Sequence, residues 1–215
     1  MTAKAHREFI NQFWESRTHV SDGLIATHFK ADNTHDRDFE LVSNLVTSDS
    51  VVCDLGAGTC IIAARLAPLV RRVVAIDKFA GFLESAPKID NLTVCAADIS
   101  DYKSEVTFDQ ILLFGVITYF DEEESYAIYR RCLDMLKPNG KLIVKHQCGI
   151  AEDVNIDRFS EQVGGRYVAF YRHREKEIQI LENIFSHVEV IDIYPAENNP
   201  WPDTHFYAFV CSKSG

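Results

Sequence analysis

The sequence lacks the features that mark several large classes of protein. It contains no run of lysine and arginine, and its net charge of −10 over 215 residues argues against a broad surface for nucleic acid, though not against a local basic pocket. No apolar stretch approaches the roughly 20 residues that span a bilayer. Residues 1–14 are polar and charged, unlike a secretory signal. We therefore expect a cytoplasmic protein of one domain, with no membrane partner.

Paired cysteines are also missing. The six cysteines form no CxxC pair and no spacing typical of a zinc site. Several fall within apolar patterns, where cysteine behaves as a small hydrophobic residue. The pattern predicts reduced thiols and no metal site.

From residue 51 onward, apolar patterns typical of strands alternate with patterns typical of helices. Strands are predicted at 51–55, 72–76, 92–95, 109–114 and 140–146, and helices near 60–69, 79–86, 122–136 and 174–185. Two last strands, 188–194 and 206–211, have no helix between them, so an antiparallel pair is expected. The alternation predicts an α/β fold: a doubly wound, Rossmann-like sheet of seven strands, mostly parallel, with an antiparallel C-terminal strand.

The segments outside this alternation are interpreted by their periodicity and length. Helical spacing recurs within residues 5–47, which predicts an N-terminal helical lid or flank over 1–47 ahead of a main domain over 48–215. The polar segment 100–107 is too short for a full crossover helix. Residues 147–172 show no strong periodicity and are interpreted as an insertion on the substrate side.

The first predicted strand ends in a glycine turn. Asp54 precedes Gly56-Ala57-Gly58, and Asp77 stands at the end of the second strand, 19 residues after Gly58. Glycines allow a ligand close to the backbone, and a carboxylate at the tip of the second strand can accept hydrogen bonds from both hydroxyls of a ribose. These residues predict a nucleoside-binding site early in the chain.

In their order, the motifs resemble those of class I S-adenosylmethionine-dependent methyltransferases of the small-molecule type, from about residue 45 to the end of the chain. Five landmarks match the family: Asp54-Leu55-Gly56-Ala57-Gly58-Thr59, Asp77, Ala97-Asp98-Ile99, the segment 108–120 and the turn 136–142. One position departs from the pattern, since Cys60 stands where many members carry a third glycine. The resemblance implies S-adenosylmethionine as the cofactor and methyl transfer as the reaction.

The resemblance also implies how the methyl donor is held. Asp54 would attract the ammonium group of the methionine tail, whereas it would repel the pyrophosphate of a dinucleotide. Asp77 would accept from the ribose hydroxyls and Asp98 from the adenine amino group. The expected cofactor-binding residues are Asp54, Gly56, Ala57, Gly58, Asp77, Lys78, Asp98, Ile99 and Phe114, with Phe79 and Leu113 as apolar cover. Each acid also has a purely structural interpretation. Asp54 would cap the amides of the following loop, Asp77 would be a helix N-cap, and Asp98 would be a turn residue.

Methyl transfer needs an aligned nucleophile and, for a hydroxyl or an amine, removal of a proton. Doubly wound sheets keep their chemistry at the carboxyl ends of the strands. His146 ends the fifth predicted strand and is the leading candidate for the base. Tyr119 follows the fourth strand and is the candidate that orients the acceptor. The alternatives are a packed or solvent-facing histidine and an aromatic residue that flanks a helix.

The insertion carries aromatic and basic side chains suited to a substrate. Tyr167, Tyr171 and Arg172 are expected to enclose a small polar or anionic acceptor. His205, in the loop before the last strand, is a further substrate-binding candidate. The N-terminal helices are expected to close over the donor through Phe13, Trp14, His19 and His28. In each case the alternative is plain structural packing.

Two motifs that would assign the acceptor are missing. Phe114-Gly115-Val116-Ile117 stands where methyltransferases of nucleic-acid amino groups carry Asp/Asn-Pro-Pro-Tyr, and no Asp-Asn pair is placed to hold a divalent metal. We therefore hypothesise a small-molecule acceptor methylated on oxygen or nitrogen, such as a sugar or secondary-metabolite hydroxyl, without nucleic acid or metal. A homodimer is a further expectation. The alternatives are a noncatalytic partner subunit and a nicotinamide-dependent enzyme.

Overall fold

The computed structural model describes residues 3–27, 34–161, 164–194, 199 and 201–215. Along these residues the strands are β1 (Val51–Leu55), β2 (Arg72–Asp77), β3 (Leu92–Ala96), β4 (Phe108–Phe114), β5 (Leu136–Gly149), β6 (Val154–Ser160), β7 (Gly165–Tyr171), β8 (His187–Asp192) and β9 (Thr204–Ser212). The α-helices are α1 (Ala3–Arg17), α2 (Gly23–Thr27), α3 (Thr34–Ser43), α4 (Ile61–Leu66), α5 (Ala80–Leu83), α6 (Glu122–Met135) and α7 (Arg174–Glu182). No helix within these ranges has the length and apolar character needed to cross a membrane.

Seven strands form one sheet in the order β3-β2-β1-β4-β5-β9-β8. The first five pair in parallel, whereas β9 runs antiparallel between β5 and β8. One apolar cluster packs α6 and α7 against one face of the sheet, and another packs α3 and α4 against the opposite face. This covering of both faces explains why the central strands are almost continuously apolar. The predicted doubly wound, Rossmann-like sheet is confirmed.

The fifth strand is longer than the predicted range 140–146. It begins at Leu136 and includes the Lys137-Pro138-Asn139-Gly140 segment, in which Asn139 has a φ of 61°. Asparagine enters this left-handed region more readily than most other residues with side chains. At the other end, β5 continues through Gln147 and Cys148. Because successive side chains of a strand point to opposite faces, this extension decides which residues near its end face the ligand side.

The segment 147–172 contains a feature that the sequence pattern did not predict. It holds the end of β5 and an antiparallel hairpin, β6 with β7, in a separate two-stranded sheet. Tyr167, Ala169 and Tyr171 alternate along β7 and pack inward. The partner strand β6 is mostly exposed and carries polar residues, so its alternation was too weak to detect.

Helix α1 connects several parts of the fold. Trp14 packs edge-on against Phe82 and Tyr119, and Phe13 packs against Tyr167 of the hairpin. Arg7 forms an ion pair with Glu124 of α6. The helix therefore lies across the carboxyl end of the sheet, over the ends of elements that are distant in sequence.

The cysteines are all unpaired thiols. Five are buried, whereas Cys95 is exposed on β3, which forms one edge of the sheet. Among the described residues, no three His, Cys, Asp or Glu side chains gather in a way that could hold a metal ion.

Candidate active site

A cavity of about 240 Å³ opens at the carboxyl end of the sheet, beside α1 and the glycine turn. This is the crevice where doubly wound sheets bind their ligands. Its aromatic lining residues are Trp14, Phe79, Phe82, Phe114, Tyr119, Phe120, Tyr167, Tyr171, Tyr194 and Phe206. Its charged lining residues are Arg7, Arg17, Asp38, Asp54, Asp77, Lys78, Asp98 and Lys145.

All the residues predicted to bind the cofactor line this cavity: Asp54, Gly56, Ala57, Gly58, Asp77, Lys78, Asp98, Ile99 and Phe114. Phe79 lines it as well. Leu113 does not, because alternation along β4 turns it into the core, where it is fully buried. The next residue, Phe114, lines the cavity as predicted.

The glycine turn is tightly enclosed. Gly56 and Gly58 have φ angles of 79° and 52°. A Cβ atom on Gly56 would lie 2.2 Å from Val116 Cγ2, and one on Gly58 would lie 2.6 Å from Thr27 Cγ2. The turn therefore needs glycine for both its conformation and its space. Cys60 has a φ of 62°, so it adopts the same left-handed conformation despite its side chain.

Asp77 is held by the backbone on both sides. Its Oδ2 accepts from the Gly58 N–H at 2.8 Å, and its Oδ1 accepts from the Phe79 N–H at 2.9 Å. Burial raises the pKa of Asp77, and these hydrogen bonds oppose the rise. Each carboxylate oxygen keeps a second lone pair for a ligand.

Asp54 is the least satisfied carboxylate of the cavity. It is only 4% exposed, and no described residue donates a hydrogen bond to it. Burial, together with the negative charge of Asp77, raises the pKa of Asp54 to about 7. A buried carboxylate beside a second one needs a cation to remain ionised.

Asp98 and Lys78 form an ion pair at the third strand's end, with 2.9 Å between Lys78 Nζ and Asp98 Oδ2. The Ser100 N–H and hydroxyl donate to Asp98 Oδ1 at 3.0 and 2.8 Å. Burial acts to raise the pKa of Asp98, but the bonds from Ser100 and Lys78 outweigh it and hold that pKa below its usual value. Asp98 therefore stays an ionised acceptor at neutral pH.

Arg17 is a cavity residue that the sequence analysis missed. Its Nε donates to the Ala26 carbonyl at 2.7 Å and its Nη2 donates to the Ile25 carbonyl, both at the end of α2. Helix α2 in turn packs on the glycine turn, where the Thr59 hydroxyl donates to the Gly23 carbonyl at 2.9 Å. Burial lowers the pKa of Arg17, and no described carboxylate pairs with it.

Lys145 is a second residue that was missed. It is 6% exposed, and its Nζ donates to Asp38 Oδ2 at 2.5 Å and to the Tyr194 hydroxyl at 3.1 Å. The Tyr194 hydroxyl donates to Asp38 Oδ1 at 2.9 Å, which closes a triangle. Burial acts to lower the pKa of Lys145, but attraction to Asp38 outweighs it and raises that pKa.

A group of tyrosine hydroxyls forms another wall. Tyr119 and Tyr167 hydroxyl oxygens lie 3.3 Å apart, and the Tyr171 hydroxyl donates to that of Tyr167 at 3.4 Å. Burial raises the pKa of all three tyrosines, so they remain neutral at physiological pH. Tyr119, Tyr167 and Tyr171 thus lie together in one wall of the cavity.

Comparison with known proteins shows what the chain is similar to. Residues 52–140 match the family of methyltransferase domains. The fold superimposes on the complex of DhpI with S-adenosylhomocysteine (SAH) with a TM-score of 0.73, at 16% identity and over 99% of both chains. It also superimposes on phosphoethanolamine N-methyltransferase 1 of Haemonchus contortus with a TM-score of 0.76, at 17% identity, over 100% of this chain and 51% of that one.

Within residues 52–140 the chain is thus similar to methyltransferase domains, and its overall fold is that of the solved methyltransferases. Among curated proteins it is similar to chondramide synthase of Chondromyces crocatus, with 33% identity over 103 residues, 43% of this chain. The matched region spans 3% of that much longer relative.

Three residues that were predicted as catalytic or substrate-binding lie away from the cavity. His146 is on the opposite face of β5, with its Nε2 3.6 Å from Glu177 Oε1. Arg172 pairs with the same buried Glu177 and donates to Ser125. His205 Nε2 lies 2.6 Å from Asp192 Oδ1 on β8. In all three cases strand alternation or a buried ion pair directs the side chain elsewhere, and these assignments are corrected.

The N-terminal helices contribute one of the predicted lid residues to the cavity lining. Trp14 lines the cavity, whereas Phe13 packs behind it on Tyr167. His19 is not among the lining residues, and His28 lies outside the described residues.

Proposed function

We propose that this methyltransferase transfers the methyl group of S-adenosylmethionine to an oxygen or nitrogen atom of a small molecule. The observation that carries the proposal is Asp54: a buried carboxylate at the glycine turn, beside Asp77, with no described hydrogen-bond donor. The ammonium group of a methionine tail supplies the cation that this carboxylate needs. A pyrophosphate would bring further negative charge to the same place, which disfavours a nicotinamide dinucleotide.

The other parts of S-adenosylmethionine also have suitable partners among the residues that line the cavity. The free lone pairs of Asp77 suit the ribose hydroxyls, and Asp98 with the Ile99 backbone suits the adenine edge. Arg17 is the described lining cation without a carboxylate partner, and it lies against the helix that covers the glycine turn. We assign to it the carboxylate of the methionine tail.

S-adenosylmethionine, when bound, supplies a methyl group already activated by a positively charged sulfur. What the protein contributes to the reaction follows from the protonation states of the side chains that line the cavity. Tyr119, Tyr167 and Tyr171 have raised pKa values and stay protonated, and Lys145 stays charged. None of these groups can act as a base at neutral pH. The enzyme therefore acts by holding the acceptor in line with the methyl group, and the acceptor's proton is released to water.

The small-molecule character of the acceptor is supported by the concave, ring-lined cavity. Two structurally similar methyltransferases are known in complex with phosphoethanolamine and with 1,6-didemethyltoxoflavin. Both ligands are small molecules. The acidic net charge of −10 is consistent with an acceptor other than nucleic acid.

Calorimetric titration with S-adenosylmethionine, SAH and NADH tests the donor assignment. We expect micromolar binding of the two adenosyl sulfur compounds, loss of that binding in Asp77→Ala, and retention in Asp49→Ala, an exposed acid at the amino end of β1. Binding of NADH alone would contradict the proposal. Binding of none of the three would contradict it as well.

A further inference from the structure

We propose that the acceptor of this enzyme is a flat, uncharged ring that bears a hydroxyl or carbonyl oxygen, and that Lys145, Asp38 and Tyr194 select it. The proposal rests on the proposed methyl transfer and names the substrate class of the same cavity. Lys145 pairs with Phe114, the last residue of β4, and both residues line the cavity. We call Lys145, Asp38 and Tyr194 the lysine triangle.

The lysine triangle is charge-balanced before any ligand enters. The ammonium group of Lys145 faces a carboxylate that is almost fully buried, since the Asp38 side chain is 2% exposed. Tyr194 bonds to both partners. An anionic acceptor placed against Lys145 would also face Asp38, and in a water-poor site its charge would remain uncompensated. An uncharged acceptor avoids this penalty.

The other described cations of the cavity give an anion no better place. Lys78 is paired with Asp98, and Arg7 is paired with Glu124. Arg17, which has no carboxylate partner among the described residues, lies at the glycine turn and serves the donor in the proposed function. The acceptor end thus offers paired charges and hydroxyls rather than a free cation.

Lys145 still has hydrogen-bonding capacity for a neutral oxygen. Of its three N–H donors, one is used by Asp38 and one by Tyr194. No described residue accepts the third. A hydroxyl or carbonyl oxygen of the acceptor can accept it, which fixes the orientation of the acceptor relative to the donor.

Aromatic rings around the same ammonium group favour a flat ligand. Lys145 Nζ lies 5.3 Å from the ring centre of Phe114, 5.6 Å from that of Tyr194 and 5.9 Å from that of Phe206. Tyr194 and Phe206 meet edge to face at 5.4 Å. Rings prefer such offset and edge-to-face neighbours, so a planar acceptor gains contacts here that a flexible chain does not.

An isosteric pair of probes tests the proposal. Ligand-detected NMR on the SAH-loaded full-length protein would compare 4-hydroxybenzamide, which is uncharged, with 4-hydroxybenzoate, which differs mainly by its negative charge. We expect the amide to bind at least about tenfold more tightly. Equal affinity, preference for the benzoate or binding of neither probe would overturn the proposal. Binding of SAH is measured in the same samples, so failure of the donor assignment is recognised separately.

A variant of Asp38 gives a gain of binding. Asp38→Asn leaves the charge of Lys145 uncompensated, so we expect the preference to shift by at least about tenfold towards 4-hydroxybenzoate. The matched control is Asp36→Asn on the same helix, whose exposed carboxylate pairs with Arg65 and should leave the preference unchanged. If Asp38→Asn folds and the preference does not move, the lysine triangle does not select by charge. If it does not fold, the comparison in the wild-type protein still decides the proposal.

Discussion

Two buried charged networks lie back to back on strand β5. On the cavity face, Lys145 pairs with Asp38 and Tyr194. On the other face, the adjacent residue His146 lies by Glu177, which also binds Arg172 and Tyr129. The first network lines a space that a ligand can enter, whereas the second is closed within the core. A buried charged group therefore does not by itself indicate a ligand site. It indicates one when the group also lines a cavity.

Glu177 is expected to produce the largest effect on stability. It is fully buried, and attraction to His146 and Arg172 outweighs the effect of burial and lowers its pKa. Glu177→Gln leaves two cationic partners without their counter-charge, which costs about 3–5 kcal/mol of unfolding free energy. Urea denaturation measures this loss. Glu175→Gln, in an exposed pair with Arg174, should cost less than about 1 kcal/mol. If Glu177→Gln lowered the unfolding free energy by less than about 1 kcal/mol, the buried network around Glu177 would not be important for stability.

Asp54 should behave in the opposite way, because it is buried without a partner. Its folded pKa of about 7 lies above the unfolded value of 3.8, so ionisation makes the folded state less stable as pH rises through that interval. Asp54→Asn is expected to raise the unfolding free energy at pH 8 by about 2–4 kcal/mol and to weaken SAH binding. In the wild-type protein, SAH affinity should fall as pH drops below about 7, by up to tenfold per unit. A stability loss in the variant would contradict this account.

Arg17 should affect binding of the donor's amino-acid tail more than binding of its adenosine part. A charge-assisted hydrogen bond to a carboxylate contributes about 1.5–3 kcal/mol, so Arg17→Met should weaken SAH binding about 10- to 100-fold. Binding of 5′-methylthioadenosine, which lacks the amino-acid tail, should not change. Arg7→Met is the control, since Arg7 lines the same cavity but pairs with Glu124. Calorimetry that found both ligands weakened equally would indicate a role only in folding.

The neighbouring residues Lys145 and His146 allow the sharpest comparison. Lys145→Gln should weaken 4-hydroxybenzamide binding about tenfold or more. His146→Gln should leave that affinity within about twofold, since its side chain does not reach the cavity, while it lowers stability. The same NMR titration measures both. If His146→Gln weakened 4-hydroxybenzamide binding as much as Lys145→Gln, the two faces of β5 would be energetically coupled.

Local sequence was sufficient for the parts of the site that follow a strand directly. The glycine turn, Asp77 and Asp98 each stand within a few residues of a strand end, and all line the cavity. His146 was placed wrongly because the predicted strand ended at that residue, whereas β5 continues to Gly149 and alternation turns the imidazole away.

The missed residues share a different cause. The sequence analysis treated Lys145 only as part of a buried strand and assigned it no role. Its partner Asp38 lies 107 residues earlier in the chain. Arg17 enters the site only because α1 docks across the sheet and meets the end of α2. Such contacts depend on the packing of distant segments, which periodicity and motif spacing do not encode.

The distribution of the cysteines has a practical consequence for chemical labelling. Cys95 is exposed, whereas the other five thiols are buried, and burial raises the pKa of Cys60 to about 12. Alkylating reagents attack the thiolate, so the native protein should take up a fluorophore at Cys95. That position stands three residues before Asp98. A dye attached there would report on donor binding without any change to the sequence.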